Sequence, residues 1–532
     1  MAGRRKIGLL LLLRSQSLLR LECARLLEHA SRLIEQRLYV AVHAQALAAY
    51  PPSFPFHLCG RLYAQAAQYS PELDVRLVLR HWKETRQGEA VDWLKRTGAT
   101  CLLLDFPTAR LDGEWGIVKE ALEEDVLLEE VPTVSTDSGN EEEEEIFLPR
   151  EGCETLASVA SRDGVVIGGT FDRLHNGHKI LLSAACLLSR EQFTCGVTNG
   201  PMLEKKVLYE LIEPVEKRVC AVTEFVASVD WGLRQKVVPI SDAYGPSIED
   251  TNLDAICATC ETVTGAHSVN KKRAERGLNQ LAVYCIGVAD ERSHVKSTMT
   301  NDESKISSSV RRKRLLGQLI RQPEAKPSLP ACPYVIGVTG GFASGKSHMC
   351  AYLKEAGAEV VDCDLLGHQA YLPGRPAYHR ILEEFGSDLA DEENGKLINR
   401  KKLGARVFAD ANALKKLNDI VWPEIASKVL EKRDSLSGKR GAVLVMDAAV
   451  LLEAGWDAMC HEVWVAVIPP SEAVRRLVDR NRLTQEQATE RLSRQLSNQQ
   501  RVAKAHVVFC SLWEYDTTKQ QVMKAWRRIT SM

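Results

Sequence analysis

The stretch Tyr334-Val335-Ile336-Gly337-Val338-Thr339-Gly340-Gly341-Phe342-Ala343-Ser344-Gly345-Lys346-Ser347 decides the fold of the C-terminal part of the chain. An apolar strand, Tyr334 to Val338, runs into a complete GxxxxGK[ST] pattern that opens a helix. In such a loop the backbone N–H groups of Gly340, Gly341, Phe342, Ala343, Ser344 and Gly345 cradle phosphates. The Lys346 ammonium reaches the β and γ oxygens, and the Ser347 hydroxyl ligates Mg²⁺. A second apolar strand, Glu359-Val360-Val361, ends in Asp362-Cys363-Asp364. It places two carboxylates where a doubly wound sheet presents its ligands, and one can take the proton of a hydroxyl attacking ATP. Farther on, Arg475, Arg476, Arg480, Arg482, Arg491 and Arg494 crowd a helical region. Their charge suits a lid over transferring phosphate, although each taken singly suits a solvated face. Residues 334–532 are therefore expected to form a P-loop kinase domain with a parallel sheet and a helical lid.

Upstream, the strand Val165 to Ile167 leads into Gly168-Gly169-Thr170-Phe171-Asp172-Arg173-Leu174-His175-Asn176-Gly177-His178, and an apolar helix follows around Ile180 to Leu188. Glycines such as Gly168 let the backbone approach a ligand, and free N–H groups at a helix start attract phosphate. Imidazoles three residues apart can both face that phosphate, each giving a hydrogen bond or, when protonated, a charge. Much later, Ser307-Ser308-Ser309 with Arg311 places hydroxyls and a cation at another helix start, a second polyphosphate contact. Residues 160–320 are expected to form a Rossmann-like HxGH domain.

Around these two motifs the rest of the chain falls into place. Its 532 residues suit about three domains. Hydrophobic residues at 45% and charged residues at 26% describe a chain that mostly folds. Lys plus Arg total 69 and Asp plus Glu total 70, so no global field favours nucleic acid, and any anion site must be local. The 15 Cys show no zinc-type Cys/His spacing, the one CxxC at Cys257–Cys260 having no second pair, which suits buried thiols in a reducing compartment. The apolar run Ile7 to Leu13 is far short of the roughly 20 residues that span a bilayer. The first 21 residues carry Arg4, Arg5, Lys6, Arg14 and Arg20 with no acid. They resemble an organelle-targeting or membrane-surface amphipathic segment; the competing reading is an ordinary first helix continuing through Leu26 and Leu27. Short apolar runs at Leu38–Val42, Val75–Leu79 and Cys101–Leu104 suggest an α/β region over 1–134, with no chemistry visible in it. Glu141 to Glu145 mark an acidic linker over 135–159, and Pro323, Pro327, Pro330 and Pro333 a stiff one over 321–333. No internal repeat is evident.

The middle residues resemble the HxGH nucleotidylyltransferases, specifically phosphopantetheine adenylyltransferase of the eukaryotic type. Further matches are Lys205-Lys206, Tyr244-Gly245-Pro246-Ser247, Glu261-Thr262, Val269-Asn270 and Arg273. The resemblance implies that 4'-phosphopantetheine attacks the α-phosphorus of ATP, releasing pyrophosphate and forming dephospho-coenzyme A. His178 would then stabilise transition-state charge and His175 would bind ATP phosphates. Thr170 and Lys205 would hold the acceptor phosphate, with Lys206 a close rival to Lys205, and Ser307 to Ser309 with Arg311 would bind nucleotide. The C-terminal residues resemble dephospho-coenzyme A kinase, also through Ile398-Asn399-Arg400-Lys401-Lys402-Leu403, Asp447 to Glu453 and Arg476 to Thr484. That likeness implies transfer of phosphate from MgATP to the ribose 3'-hydroxyl of dephospho-coenzyme A. Asp364 would be the base, and Arg480 and Arg491 lid contacts. Ala343 departs from the bacterial pattern, where glycine is usual, as do Trp422-Pro423 in place of His-Pro, and His506 and Ser511 in place of Asp and Asn. Family resemblance also suggests cytoplasmic and mitochondrial placement. Two other classes stay open. One is a scaffold that binds nucleotide or coenzyme A without turnover, and the other an aminoacyl-tRNA synthetase-like enzyme, which the neutral charge disfavours.

Overall fold

The computed structural model describes residues 5–12, 22–42, 54–79, 93, 95–104, 127–130, 153–154, 161–287, 307–391, 396–408 and 411–531. The expected acidic linker lies almost wholly outside them. The chain forms two compact units, Met1–Arg311 and Arg312–Met532.

The first unit is built on two parallel sheets. One contains β1 (Arg5–Leu12), β2 (Ile34–Val42), β3 (Asp74–Val78), β4 (Cys101–Leu104) and β5 (Leu127–Glu130), in the order β3-β2-β1-β4-β5. Helices α1 (Glu22–Leu33) and α2 (Phe54–Tyr69) intervene. The other contains β6 (Arg162–Gly169), β7 (Ser189–Thr198), β8 (Arg234–Ile240), β9 (Ala255–Thr259) and β10 (Ala282–Ile286). Its order is β10-β9-β6-β7-β8, with α3 (Asn176–Leu188), α4 (Val215–Val229) and α5 (Val263–Glu275) between strands. Counted from its own first strand, each sheet reads 3-2-1-4-5. The two sheets thus share a strand order although the sequence shows no repeat. Alternating apolar strands and amphipathic helices suffice for this topology and tolerate wide sequence divergence. Of the two sheets of this unit, the HxGH motif follows β6 alone; the segment after β1 reads Leu13-Arg14-Ser15-Gln16-Ser17.

Residues Arg5–Leu12 form the central strand of the first sheet, paired with β2 and β4, and are not part of an ordinary first helix. Leu9 and Leu10 are buried. Residues 1–4 and 13–21 lie outside the described set. One apolar core joins the two sheets, with Leu62, Tyr63 and Ala66 of α2 in the same cluster as Ile180, Leu181 and Ala184 of α3.

The division between units falls inside α6 (Ser308–Leu315). In the second unit the sheet order is β12-β15-β11-β16-β17, all parallel. The chain passes through β11 (Tyr334–Gly340), α7 (Lys346–Glu355), β12 (Glu359–Asp362), α8 (Cys363–Ala370), α9 (Pro376–Phe385) and the short ladder β13 (Ala390–Asp391) with β14 (Leu397–Ile398). It continues through α10 (Arg400–Phe408), α11 (Ala411–Ser435), β15 (Val443–Asp447), β16 (Glu462–Val467), α12 (Pro470–Asn481), α13 (Gln485–Ser493), α14 (Asn498–Val502), β17 (Val507–Cys510) and α15 (Tyr515–Thr530). The stretch expected as a stiff linker packs on this unit. Lys326 Nζ donates to the carbonyls of Asp457 and Cys460, each at 2.7 Å, and just ahead of the stretch Ile320 N–H donates to the His506 carbonyl at 2.8 Å.

Candidate active sites

In the first unit, β6 delivers Gly168 to the carboxyl end of the second sheet, beside the point where strand order reverses, the usual ligand crevice of this topology. The turn that follows is strained: Phe171 and Arg173 adopt φ of 49° and 48°. It is held by Asp172, fully buried, whose carboxylate accepts from Glu213 N–H at 3.0 Å and Arg173 Nη1 at 2.9 Å. Arg218, 1% exposed, donates to the carbonyls of Thr170, Thr198 and Glu213, each at 2.8 Å. Sequence reasoning gave Arg218 no part. A cation within a helix carries no motif, and only the fold shows that it satisfies three loop carbonyls.

His175 caps α3, its Nδ1 accepting from His178 N–H at 3.4 Å, and the two imidazoles stack with centroids 3.8 Å apart. His175 Nε2 lies 3.4 Å from Ser308 Oγ, which also donates to the Asp172 carbonyl at 3.1 Å. Ser307 Oγ accepts from Val310 N–H at 3.3 Å, and Arg311 Nη1 donates to the Leu174 carbonyl at 3.3 Å. The two motifs, far apart in sequence, thus meet. Burial, then the charge of Arg311, lowers the pKa of His178 to about 3 with a smaller push from Lys206, while Asp172 opposes. Burial and His178 likewise push His175 well below its ordinary value. Both rings are neutral near pH 7, so the pair offers hydrogen bonds and not charge. His178 Nδ1 is buried without a partner. Lys205 and Lys206 are both exposed, and Lys206 is the one whose charge His178 feels.

These depressions carry a sign for stability. Below about pH 6.5 the unfolded chain binds protons that the folded histidines refuse, so stability falls as pH drops toward 3. The expected slope, read from urea unfolding of the first unit's transition, reaches about 1.4 kcal/mol per pH unit per histidine and vanishes above pH 7.

In the second unit, β11 ends at Gly340, where a Cβ would meet the Ala466 carbonyl at 2.7 Å. Gly345 has φ of 86°, and a Cβ there would lie 2.8 Å from Ser511 Cβ. Gly345→Ala therefore costs at least about 1–2 kcal/mol. Thermal unfolding should show the loss, together with lost phosphoryl transfer. Ala343, the departure from the usual glycine, adopts φ of 58°. Its carbonyl is gripped by Arg476 Nη1 at 3.1 Å. Arg476 also reaches Ser511 Oγ at 2.8 Å and its carbonyl at 2.6 Å, while Ser511 Oγ donates to the Ser344 carbonyl at 2.8 Å. Gln495 Oε1 accepts from Phe342 N–H at 2.9 Å. The residue at the Ser511 departure thus pins the phosphate loop. His506 at the other departure closes the sheet edge, its Nδ1 accepting from Val463 N–H at 2.9 Å.

Lys346 ion-pairs with Asp447 and lies 3.8 Å from Asp364. Burial alone would lower the ammonium, but the Asp447 and Asp364 charges outweigh it and raise its pKa. Burial raises the Asp364 carboxyl, as do Asp362 and Asp447, against the pull of Lys346; this suits a base. Asp362 instead caps α8, accepting from Leu365 N–H at 2.8 Å. Local spacing assigns Asp447 no role; register pairs it with Asp362 and Val338, which brings it to the phosphate loop. Of the expected lid arginines, Arg480 and Arg491 are exposed on α12 and α13, and Arg475 pairs with Glu472 and Asp479. Ser347 is exposed in the first turn of α7.

A family model described as dephospho-CoA kinase matches residues 334–511, and one described as cytidylyltransferase-like matches residues 166–314. A dephospho-CoA kinase of Carboxydothermus hydrogenoformans is 32% identical over 189 residues, 36% of this chain and 91% of that protein. The chain belongs to the dephospho-CoA kinase family. Another dephospho-CoA kinase, of Moorella thermoacetica, is 34% identical over 197 residues, 37% of this chain and 92% of that protein. The solved dephospho-CoA kinase of Campylobacter jejuni covers 37% of this chain and 97% of its own, at 25% identity and a TM-score of 0.31. To the dephospho-CoA kinase part this chain joins a nucleotidyltransferase-like domain, which those relatives' matched segments do not include.

Proposed function

We propose that the chain performs the last two steps of coenzyme A biosynthesis, as a bifunctional coenzyme A synthase would. In the first, the phosphate of 4'-phosphopantetheine attacks the α-phosphorus of ATP and pyrophosphate leaves, giving dephospho-coenzyme A. In the second, the ribose 3'-hydroxyl of that product takes the γ-phosphoryl group of ATP, giving coenzyme A and ADP. The observation that carries the first step is the stacked His175–His178 pair, which joins a helix N-terminus to the Ser308 hydroxyl at the sheet's crevice. Neutral imidazole N–H groups aimed at phosphoryl oxygens strengthen their bonds as charge develops there, and no covalent intermediate is needed. Thr170 and Lys205 or Lys206 are assigned to the acceptor phosphate.

For the second step, Asp364 takes the hydroxyl proton while Lys346 leaves its carboxylate partners for the phosphate chain. The donor set suits Mg²⁺. Ser347 offers an exposed hydroxyl, and the carboxylates of Asp364 and Asp447 converge on one cation already. Among the described residues no group of three or more His, Cys, Asp or Glu could hold an ion. A Mg²⁺ that shares its ligands with substrate phosphates and water does not need one. Bound there, it would neutralise charge on the phosphates of ATP. Mass spectrometry of the purified chain with MgATP and 4'-phosphopantetheine tests the whole reading. Coenzyme A is the expected product; ATP binding without either product would make the chain a scaffold.

A further inference from the structure

The fold preceding the HxGH domain lacks the phosphate-binding residues of its topological twin, yet it reaches the first turn of the catalytic helix. Lys179, next to His178, is 6% exposed, and its ammonium donates to Asp74 Oδ1 at 2.6 Å and the Val75 carbonyl at 3.1 Å. Asp74 opens β3, and its Oδ2 accepts from Arg37 Nε at 2.8 Å and Arg76 Nε at 3.0 Å. The same strand is anchored to the end of α4. Arg76 Nη1 donates to Ser228 Oγ at 2.8 Å, and Leu79 N–H to the Val229 carbonyl at 2.8 Å.

A buried ammonium is costly unless paired, and here both oxygens that accept from it, Asp74 Oδ1 and the Val75 carbonyl, belong to β3. Burial pulls the Lys179 pKa down and Asp74 opposes it. Burial would raise the Asp74 carboxyl, but Lys179, Arg76 and Arg37 together hold it well below the usual carboxylate range. Asp74 is thus a fixed anion. Lys179 N–H also donates to the His175 carbonyl at 3.0 Å, so the residue tethered to β3 belongs to the turn that carries both imidazoles. Fixing its far end fixes the rotation of that turn. A cavity of about 250 Å³ beside the turn is lined by Asp74, Arg76, Asn176, Lys179 and Arg311 among others.

We propose that Asp74, acting through Lys179, is a positioning residue for adenylyl transfer, so that the N-terminal fold sets the aim of His175 and His178. This rests on the adenylyl-transfer reading above. The test uses the full chain, assaying dephospho-coenzyme A formation and, separately, phosphorylation of supplied dephospho-coenzyme A. Asp74→Asn should lower kcat of the first reaction about 10- to 100-fold, the scale of a small misplacement of reacting groups, with KM for ATP within about threefold. The second reaction should be unchanged. In a Lys179→Met background Asp74→Asn should cost no more than about twofold further, and Asp74→Glu should recover most of the rate. Should Asp74→Asn fail to fold, the pair Asp74→Leu with Lys179→Met removes both charges together, and Arg37 and Arg76 keep Glu224 as their carboxylate. It should show the same loss of kcat. A wild-type chain that makes no dephospho-coenzyme A defeats the parent reading and this one with it. A wild type that turns over, with Asp74→Asn or the apolar pair within twofold of it, overturns the positioning role alone, as does full additivity of Asp74→Asn and Lys179→Met.

Discussion

Lys346→Ala is expected to reduce phosphorylation of dephospho-coenzyme A about 1000-fold or more while leaving its synthesis intact, so that the intermediate accumulates. The ammonium is the one cation of the phosphate loop itself, and it sits between two carboxylates, Asp447 and Asp364. Its replacement removes the group that meets the β and γ oxygens. It also leaves the Asp447 carboxylate, whose side chain is 10% exposed, without its counter-ion. The second effect has its own signature. With the cation gone, the burial that already raises the Asp364 carboxyl acts with less opposition, so the variant's stability is retained in acid and lost as pH rises through that group's pKa. Its deficit against wild type should be larger at pH 8 than at pH 5 in urea unfolding. Adding Asp447→Asn should restore stability without restoring phosphoryl transfer, which separates the structural charge balance from the chemistry. Comparable rates in wild type and Lys346→Ala would remove Lys346 from the phosphoryl-transfer site.

What could be read from sequence follows from where chemistry fixes residue type at short spacing. Gly340 to Ser347 and Gly168 to His178 are local patterns, and the strands before them, β11 and β6, form where their apolar runs lie. The strand at Cys101–Leu104 matches its expected bounds for the same reason. β1 escaped because a central parallel strand is buried on both faces and shows no alternation. Behind Arg4, Arg5 and Lys6, its apolar run looks like a leader. The remaining site residues are products of long-range pairing. Asp447 reaches Lys346 because β15 lies against β11, and Asp74 meets Lys179 across 105 residues. Arg476 looked like one lid arginine among six, but it braces Ala343, whose left-handed backbone a glycine would adopt unaided. No spacing rule on one chain announces such partners.

His178→Ala is expected to lower adenylyl transfer about 100- to 1000-fold, the loss of roughly 2.7–4 kcal/mol that follows removal of one preorganised donor to developing charge. The ring is half-buried, stacked on His175 and 5.3 Å from Phe171, so its truncation also opens space. His178→Asn separates the two effects, since it keeps an N–H donor in a smaller volume; it should retain more activity than Ala. Because the imidazole titrates near pH 3, wild-type kcat should show no ionisation of this group between pH 5 and 8. An ionisation near pH 6.5 that disappears in His178→Ala would mean that the ring works as a cation, contrary to its burial beside Arg311 and Lys206. A loss below tenfold would mean that it packs the turn and stabilises no transition state. Phosphorylation of supplied dephospho-coenzyme A, carried by the other compact unit, should proceed at the wild-type rate in each variant.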